Sequence, residues 1–282
     1  MLKTAWVTGA SSGLGRYTAQ ALVREGWRVA AGARSFQGQE GEGPEGFRLP
    51  LDVTDHASIA AFCQKALAQV GTPGALVNCA GILVIGAAED CSDQELRQVM
   101  DVNFFGMAAM VRAVLPLMRA NGGGRIVNFS SVNGLFASPF QGAYSAAKHA
   151  VEGFSEALAM EVKSQGIQVM LVQPGDHRGG ADKYRPLAAR QSPPYKAACA
   201  RAAAVMARDE RGGSDPARLG KKVARALNRR RMPMRLPVAM PSQRAAIVLH
   251  DILPSGLFQT CLSAYYRVNP RRGAPQEELH EL

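Results

Sequence analysis

Tyr144 and Lys148 stand four residues apart in "QGAYSAAKHAVEGFSEALAMEV", a stretch with helical periodicity. That separation puts both side chains on one helix face, roughly 6 Å apart along the axis. A phenol with a pKa near ~10 exchanges protons poorly at neutral pH. A neighbouring ammonium stabilises the phenolate and lowers that pKa, at about 1.4 kcal/mol per unit. Tyr144 could then act as a general acid or base. A Tyr and a Lys so placed also read as an ordinary surface pair, so their surroundings must decide.

Near the start of the chain, "TGASSGLG" (Thr8 to Gly15) lies between the apolar run "TAWV" and the helical pattern "RYTAQALVREG". A strand that ends in glycines and enters a helix gathers backbone N–H groups and the positive helix end, an anion site suited to pyrophosphate. Gly9, Gly13 and Gly15 would let the backbone turn and approach a ligand without Cβ clashes. The spacing is G-x-x-x-G-x-G, not the G-x-G-x-x-G most often quoted for dinucleotide folds, and glycine-rich turns also occur for structural reasons alone.

These groups need elements to hold them. The runs "TAWVTG", "WRVAAGAR", "FRLPLDV", "ALVNCAG", "GRIVNFSS" and "IQVMLVQPG" read as strands, with helical stretches between most of them. The alternation predicts an α/β fold, a parallel sheet covered by helices on both faces. Ser92 and Glu95 form a capping box, "NGGG" from Asn121 ends the long helix that follows, and Gly166 closes the next. After "QPG" a Pro-, Gly-, Arg- and Ala-rich stretch reads as a mobile or helical insertion over a site, or as a linker. A helix "PARLGKKVARALN", a short run "MRLPVAM" and an amphipathic end follow. One domain over 1–282 is expected: a core over 1–175, a substrate lid over 176–240 and a C-terminal helical extension over 241–282.

A chain of 282 residues can bury about three quarters of its unfolded surface. With 47% hydrophobic and 20% charged residues it is not disordered. No 18-residue apolar segment and no leader are read, and the cytoplasm is the expected compartment. Cys63, Cys79, Cys91, Cys199 and Cys261 show no CxxC or metal-like cluster and read as reduced packing residues. The net charge is +10, and residues 178–235 hold sixteen Lys/Arg against four acids, so the whole excess lies there. Such a block is a solvated surface or a contact for a polyanion or membrane surface.

Three more motifs lie between the glycine turn and "YSAAK": "NCAG" (Asn78 to Gly81), "DVNFFG" with Asn103, and "NFSS" with Ser130 and Ser131. In this order the five elements resemble the short-chain dehydrogenase/reductase family, strongly over residues 1 to about 180, in a layout closest to its hydroxysteroid and retinol dehydrogenase branch. The resemblance implies a Rossmann-type doubly wound parallel sheet and hydride transfer between a nicotinamide cofactor and a carbonyl or alcohol. It implies that Tyr144 is the general acid or base and that Lys148 also hydrogen-bonds the nicotinamide ribose. Ser131, thirteen residues before Tyr144, would polarise the carbonyl oxygen, and Asn103 would hold a water linking Lys148 to solvent. A Ser at a strand end also reads as a cap, and an Asn in a helix as a local bond. His149 and Asn133 receive no role.

The same motifs imply cofactor contacts from Thr8, Gly9, Ser11, Ser12, Gly13, Leu14 and Gly15 in the glycine turn, and from Arg34. Asp52 and Val53 would meet the adenine side, although Asp52 also reads as a turn residue capping the helix that starts near Asp55. Asn78, Ala80 and Gly81 would wall the adenosine, and Tyr144, Lys148, Pro174 and Gly175 complete the set. The family's acidic position for the 2′-OH of NAD falls on Ala33 and is followed by the basic Arg34, which favours NADP(H), with NAD(H) as the alternative. Ser12 stands where NADP-preferring relatives often add a second base. Cys79 replaces the second Asn of the NNAG element. Gly179 occupies the usual threonine position in "PGDHRG", which puts that contact in question.

The expected substrate is a small, lipophilic carbonyl or alcohol selected by residues 176 to about 240. Phe136, Phe140, Met232, Met234 and Met240 are candidate pocket residues, and Leu187, Val205 and Met206 would turn inward from the lid. A 3-oxoacyl-thioester reductase, a cofactor-bound sensor and a basic surface-binding protein are the alternatives. No metal, nucleic acid or transmembrane segment is expected and a homo-oligomer is, while a peripheral membrane contact is left open.

Overall fold

Strands form where short apolar runs can be buried on both faces of a sheet. The computed structural model describes residues 3–179 and 185–269. It contains β1 (Thr4–Thr8), β2 (Arg28–Ala33), β3 (Gly41–Gly43), β4 (Gly46–Pro50), β5 (Ala75–Asn78), β6 (Gly124–Phe129), β7 (Ile167–Pro174) and β8 (Arg235–Val238). They form one sheet in the order β3-β4-β2-β1-β5-β6-β7-β8, parallel except for β3, which runs antiparallel along β4. The edge strand β3 was not anticipated, because "GEG" carries no strand signal of its own.

Helices α1 (Gly13–Arg24), α2 (His56–Gln69), α3 (Asp93–Met100), α4 (Gly106–Ala120), α5 (Gly142–Glu161), α6 (Pro193–Arg211), α7 (Pro216–Leu227), α8 (Pro241–Ile252) and α9 (Ser255–Tyr265) complete the described chain. Side chains alternate across each strand. Trp6, Ala30, Leu76 and Ile126 pack with Phe62 of α2, Met110 and Val114 of α4 and Val151 of α5. Ala5, Val29, Val77 and Val127 pack on the opposite face with Leu22 of α1 and Leu219 and Leu227 of α7. This is the doubly wound α/β architecture that the alternation predicts.

Local signals explain most boundaries. Ser92 and Glu95 make the reciprocal capping box at the start of α3. Gly166, at φ +71, takes the left-handed turn before β7. Asp93–Ala120 is one long helix, and an 18-residue window in it has a mean hydropathy of 1.3, contrary to the expectation that no such segment exists. Half of that window is buried in the fold, with Met110, Val111, Val114 and Met118 in the core.

The region expected as a lid divides in two. Residues 216–238 supply α7 and β8, which belong to the layers of the sheet: β8 pairs with β7, and α7 lies on α1. Arg125 of β6, almost fully buried, donates to the carbonyls of Leu227 and Arg229 where α7 ends. Of the expected lid, α6 is the described helix that stands over the carboxyl ends of the strands, joined by α8 and α9. Residues 180–184 and the polar tail from 270 lie outside the described residues.

The α1–α7 contact depends on Gly220, where an added Cβ would strike the carbonyl of Tyr17 and lie 2.8 Å from its carbon. Gly220→Ala should therefore destabilise the fold by about 1–3 kcal/mol through overpacking, lowering the urea midpoint. An unchanged midpoint would show that α7 shifts freely on α1.

Candidate active site

The carboxyl ends of β1, β2, β5, β6 and β7 open into one cavity of about 1350 Å³. At the start of α1 the backbone N–H groups face no acid in the first turn, and the Ser12 side chain makes no capping bond. Gly9 and Gly13 hold φ +66 and +50. A Cβ on Gly9 would lie 2.8 Å from Ala80, and one on Gly15 would collide with the Gly9 carbonyl. A positive helix end reached across bare glycine backbone fits a pyrophosphate. Gly9, Ser11, Ser12, Gly13, Leu14 and Gly15 all line this end of the cavity, with Arg34, Asp52 and Val53 beside them.

Asp52 is also a turn residue, as its alternative reading has it, but the cap of α2 is Asp55, which accepts from the Ala57 amide at 2.9 Å. Asp52 Oδ1 accepts from the Thr54 amide at 2.9 Å and hydroxyl at 2.7 Å. Burial pushes its carboxyl up, but those bonds and the Arg34 charge outweigh it and hold the pKa below the ordinary value.

Thr8 and Asn78, expected as cofactor contacts, do not line the cavity. The buried Thr8 hydroxyl accepts the amides of Cys79 and Ala80, each at 3.1 Å. Asn78 donates to Asn128 at 2.9 Å, and Asn128 to Ser155 of α5, also at 2.9 Å. Their side chains turn into the protein and brace the loop whose Cys79, Ala80 and Gly81 do face the cavity.

Ser131, Tyr144, Lys148 and Asn103 meet in the same cavity, with Pro174 and Gly175 at the end of β7. Ser131 caps the short turn Val132–Gly134, accepting from the Asn133 amide at 3.2 Å. Lys148 donates from Nζ to the Phe129 carbonyl at 2.8 Å, and Nζ lies 5.5 Å from the centre of the Tyr144 ring. The expected depression of the phenol by this ammonium is not found. Burial raises the Tyr144 pKa, opposed by the Ser131 hydroxyl and the Arg185 charge and assisted by Asp176. Burial also lowers Lys148 to about 8. Desolvation drives both groups toward their neutral forms.

Asn103 reaches the cluster because the helix from α3 to α4 carries a π turn at Asp101–Phe105. Its Nδ2 donates to the carbonyls of Ile82 at 2.7 Å and Val99 at 2.8 Å. Its Oδ1 is buried without a partner. A Cβ on Gly81 would lie 2.8 Å from that oxygen and 3.8 Å from Lys148 Nζ, so glycine keeps the two groups facing one space. His149 bonds the Ser145 carbonyl, and Asn133 bonds Gln141 and Ser138, so both are structural.

The cover departs further from expectation. Met206 and Phe136 line the cavity, but Leu187 is exposed, Val205 is buried off the cavity, and Phe140, Met232, Met234 and Met240 lie elsewhere. Ala246, Leu249 and Leu253 of α8 and its following turn, with Phe258, Leu262, Tyr265 and Tyr266 in and after α9, supply an apolar wall that was not assigned to the site. Their amphipathic pattern was visible, but the outward side chains Val248, Ile252 and Leu257 are apolar too, which obscured the inner face. Many bases of the 178–235 block are already engaged. Arg190 lies beside Glu89 and Asp90, Arg208 pairs with Asp209, and Arg235 pairs with Glu152 and Glu156, while Arg201 donates to the carbonyls of Arg267 and Val268.

The short chain dehydrogenase family model matches residues 3–185. The chain belongs to the short-chain dehydrogenase family. This dehydrogenase is an oxidoreductase acting on carbonyl or alcohol groups. It is 36% identical over 264 residues to a 3-ketodihydrosphingosine reductase of Bacteroides thetaiotaomicron, covering 93% of this chain and 97% of that one. Among solved structures it resembles a short-chain dehydrogenase from Streptomyces avermitilis, with TM-score 0.76 and 32% identity, covering 95% and 98% of the two chains. A short-chain dehydrogenase/reductase from Burkholderia phymatum, solved in complex with NAD, gives TM-score 0.76 at 26% identity, covering 97% and 98%.

The buried Lys148 has a measurable consequence. Its pKa falls to about 8 on folding, from 10.5, so between those values the unfolded chain binds more protons and stability rises with pH. The cost is complete below about pH 8. Relative to Lys148→Met, the parent should gain on the order of 3 kcal/mol between pH 7 and 10.5, at about 1.4 kcal/mol per unit. Urea unfolding of both proteins across that range reads the difference, and a flat one would mean that Lys148 is solvated.

Proposed function

We propose that this dehydrogenase reduces a ketone carried on a long apolar chain, with NADPH as hydride source and Tyr144 as proton donor. The observation that carries the reading is that Ser131, Tyr144 and Lys148 share one cavity with a glycine anion cradle and an apolar wall from α8 and α9. The Bacteroides reductase supports it, because the likeness extends over 93% of this chain, well past the residues matched by the family model.

The amides at the start of α1 would hold the pyrophosphate, Arg34 the 2′-phosphate, and Lys148 the nicotinamide ribose. When bound, the cofactor supplies a hydride to the carbonyl carbon. Ser131 donates a hydrogen bond to the carbonyl oxygen, where negative charge develops. Tyr144, kept neutral by burial, gives its proton to that oxygen as the alkoxide forms. Lys148 and the free acceptor of Asn103 face one another across Gly81 and provide a route by which Tyr144 regains a proton. The outward side chains Val248, Ile252 and Leu257 support a peripheral contact with a lipid surface, from which an apolar chain would enter. Failure of the parent protein to float with lipid vesicles would remove that part of the reading.

The deciding assay follows NADPH oxidation with 3-ketodihydrosphingosine, a steroid ketone, retinal and a 3-oxoacyl thioester. The long-chain ketone should give the highest kcat/KM, and a preference for the thioester would overturn the substrate reading. Tyr144→Phe should lower turnover by about 10²–10⁴ while leaving NADPH affinity nearly unchanged. An active, folded variant would refute the assigned proton donor. Arg34→Glu should weaken NADPH binding about tenfold to hundredfold and favour NADH, since charged hydrogen bonds contribute about 1.5–3 kcal/mol. An unaltered cofactor ratio would leave NAD(H) as the cofactor to consider.

A further inference from the structure

Lys148 and Arg178 line the cavity with Tyr144, and the other charged groups there are of both signs. Asp176, Arg185, Asp209 and Glu210 all line the cavity there. Asp209 is committed elsewhere: it pairs with Arg208 at 2.8 Å and accepts the Tyr265 hydroxyl at 2.8 Å. Arg185 is paired with Glu210 and attracted to Asp176. The Glu210 side chain is 9% exposed, and its second oxygen is buried without a partner.

Asp176 is held in place from two sides. Its carbonyl accepts from Ser214, in the turn after α6, at 3.0 Å. Gln243 of α8 accepts from the Asp176 amide at 3.2 Å and donates to the carboxylate at 2.6 Å. A Cβ on Gly213 would come within 2.7 Å of Asp176 backbone atoms, so the turn presses directly on that residue. The carboxylate is near enough to Tyr144 for their charges to interact.

We infer that Asp176, reinforced by Glu210, receives a cationic amino group close to the carbonyl that Tyr144 protonates. This rests on the reduction proposed above and narrows its substrate to long-chain amino ketones. Arg185 is matched by Glu210 and Asp209 by Arg208, so among the described residues the Asp176 carboxylate has no ion pair of its own, and it attracts an ammonium and repels a phosphate or carboxylate. Burial raises the Asp176 carboxyl to about 6, so an arriving cation would also relieve an existing cost. Asp176 is a specificity residue here, since the hydride and proton transfers do not pass through it.

The experiment compares kcat/KM for NADPH-dependent reduction of a long-chain 2-amino-3-ketone and the ketone of equal length lacking the amine. The parent should favour the amino ketone about tenfold to hundredfold, mainly through KM, the scale of one charged hydrogen bond. Asp176→Asn should collapse that ratio toward one, and Glu210→Gln should lower it less. Equal parent values for the two ketones, or an unchanged ratio in a folded Asp176→Asn protein, would overturn the inference. If Asp176→Asn does not fold, the parent ratio and Glu210→Gln still decide. Binding of the matching amino alcohol and plain alcohol, measured by calorimetry with NADP⁺ present, separates this inference from the proposed reaction. Tighter amino alcohol binding without ketone turnover sinks the reaction alone, whereas equal binding sinks the amine site.

Discussion

One close approach sets the geometry of the site: the backbone of Gly9 lies against both Gly15 and Ala80, with no room for a Cβ on either glycine. The contact joins the end of β1, the first turn of α1 and the loop after β5. Thr8 secures the same joint by accepting two amides with one hydroxyl. Because the loop after β5 continues into Gly81, the joint also fixes how far the anion cradle stands from Lys148 and Asn103. The relation between cofactor cradle and proton-handling groups is thus a backbone property, set before any side chain touches a ligand.

Burial is the second governing effect. A simple picture of an ammonium beside a phenol predicts an easily ionised Tyr144, but both groups are enclosed and desolvation favours their neutral forms. A neutral phenol suits proton donation more than proton removal. That fits the proton donation proposed for Tyr144, and the charges that adjust it, Arg185 and Asp176, line the same cavity.

Much of this was legible in the sequence, for identifiable reasons. The four-residue spacing of Tyr144 and Lys148 translates directly into one helix face, and glycines at Gly9 and Gly13 mark backbone that must turn left. Six of the strands follow from apolar runs between turn residues. Other features depend on contacts that no local pattern encodes. Asn103 is aimed by a π turn within an otherwise regular helix. Thr8 and Asn78 sit inside binding motifs yet turn away from the cavity. The wall from α8 and α9 stayed hidden because both of its faces are apolar, and the basic block gave no sign of which of its bases are paired, since Glu89, Asp90, Glu152 and Glu156 lie outside it in the sequence.

The order of the chain separates two inheritances. Groups that handle hydride and proton lie between Gly9 and Lys148, whereas the apolar wall comes from an uninterrupted stretch after β8, joined to the rest partly through Gln243 and Asp176. A change confined to the stretch after Ala239 therefore alters the apolar wall and leaves the groups from Gly9 to Lys148 in place. Descendants of one ancestor could diversify by trading tails, provided the incoming helix still offered a partner for Asp176.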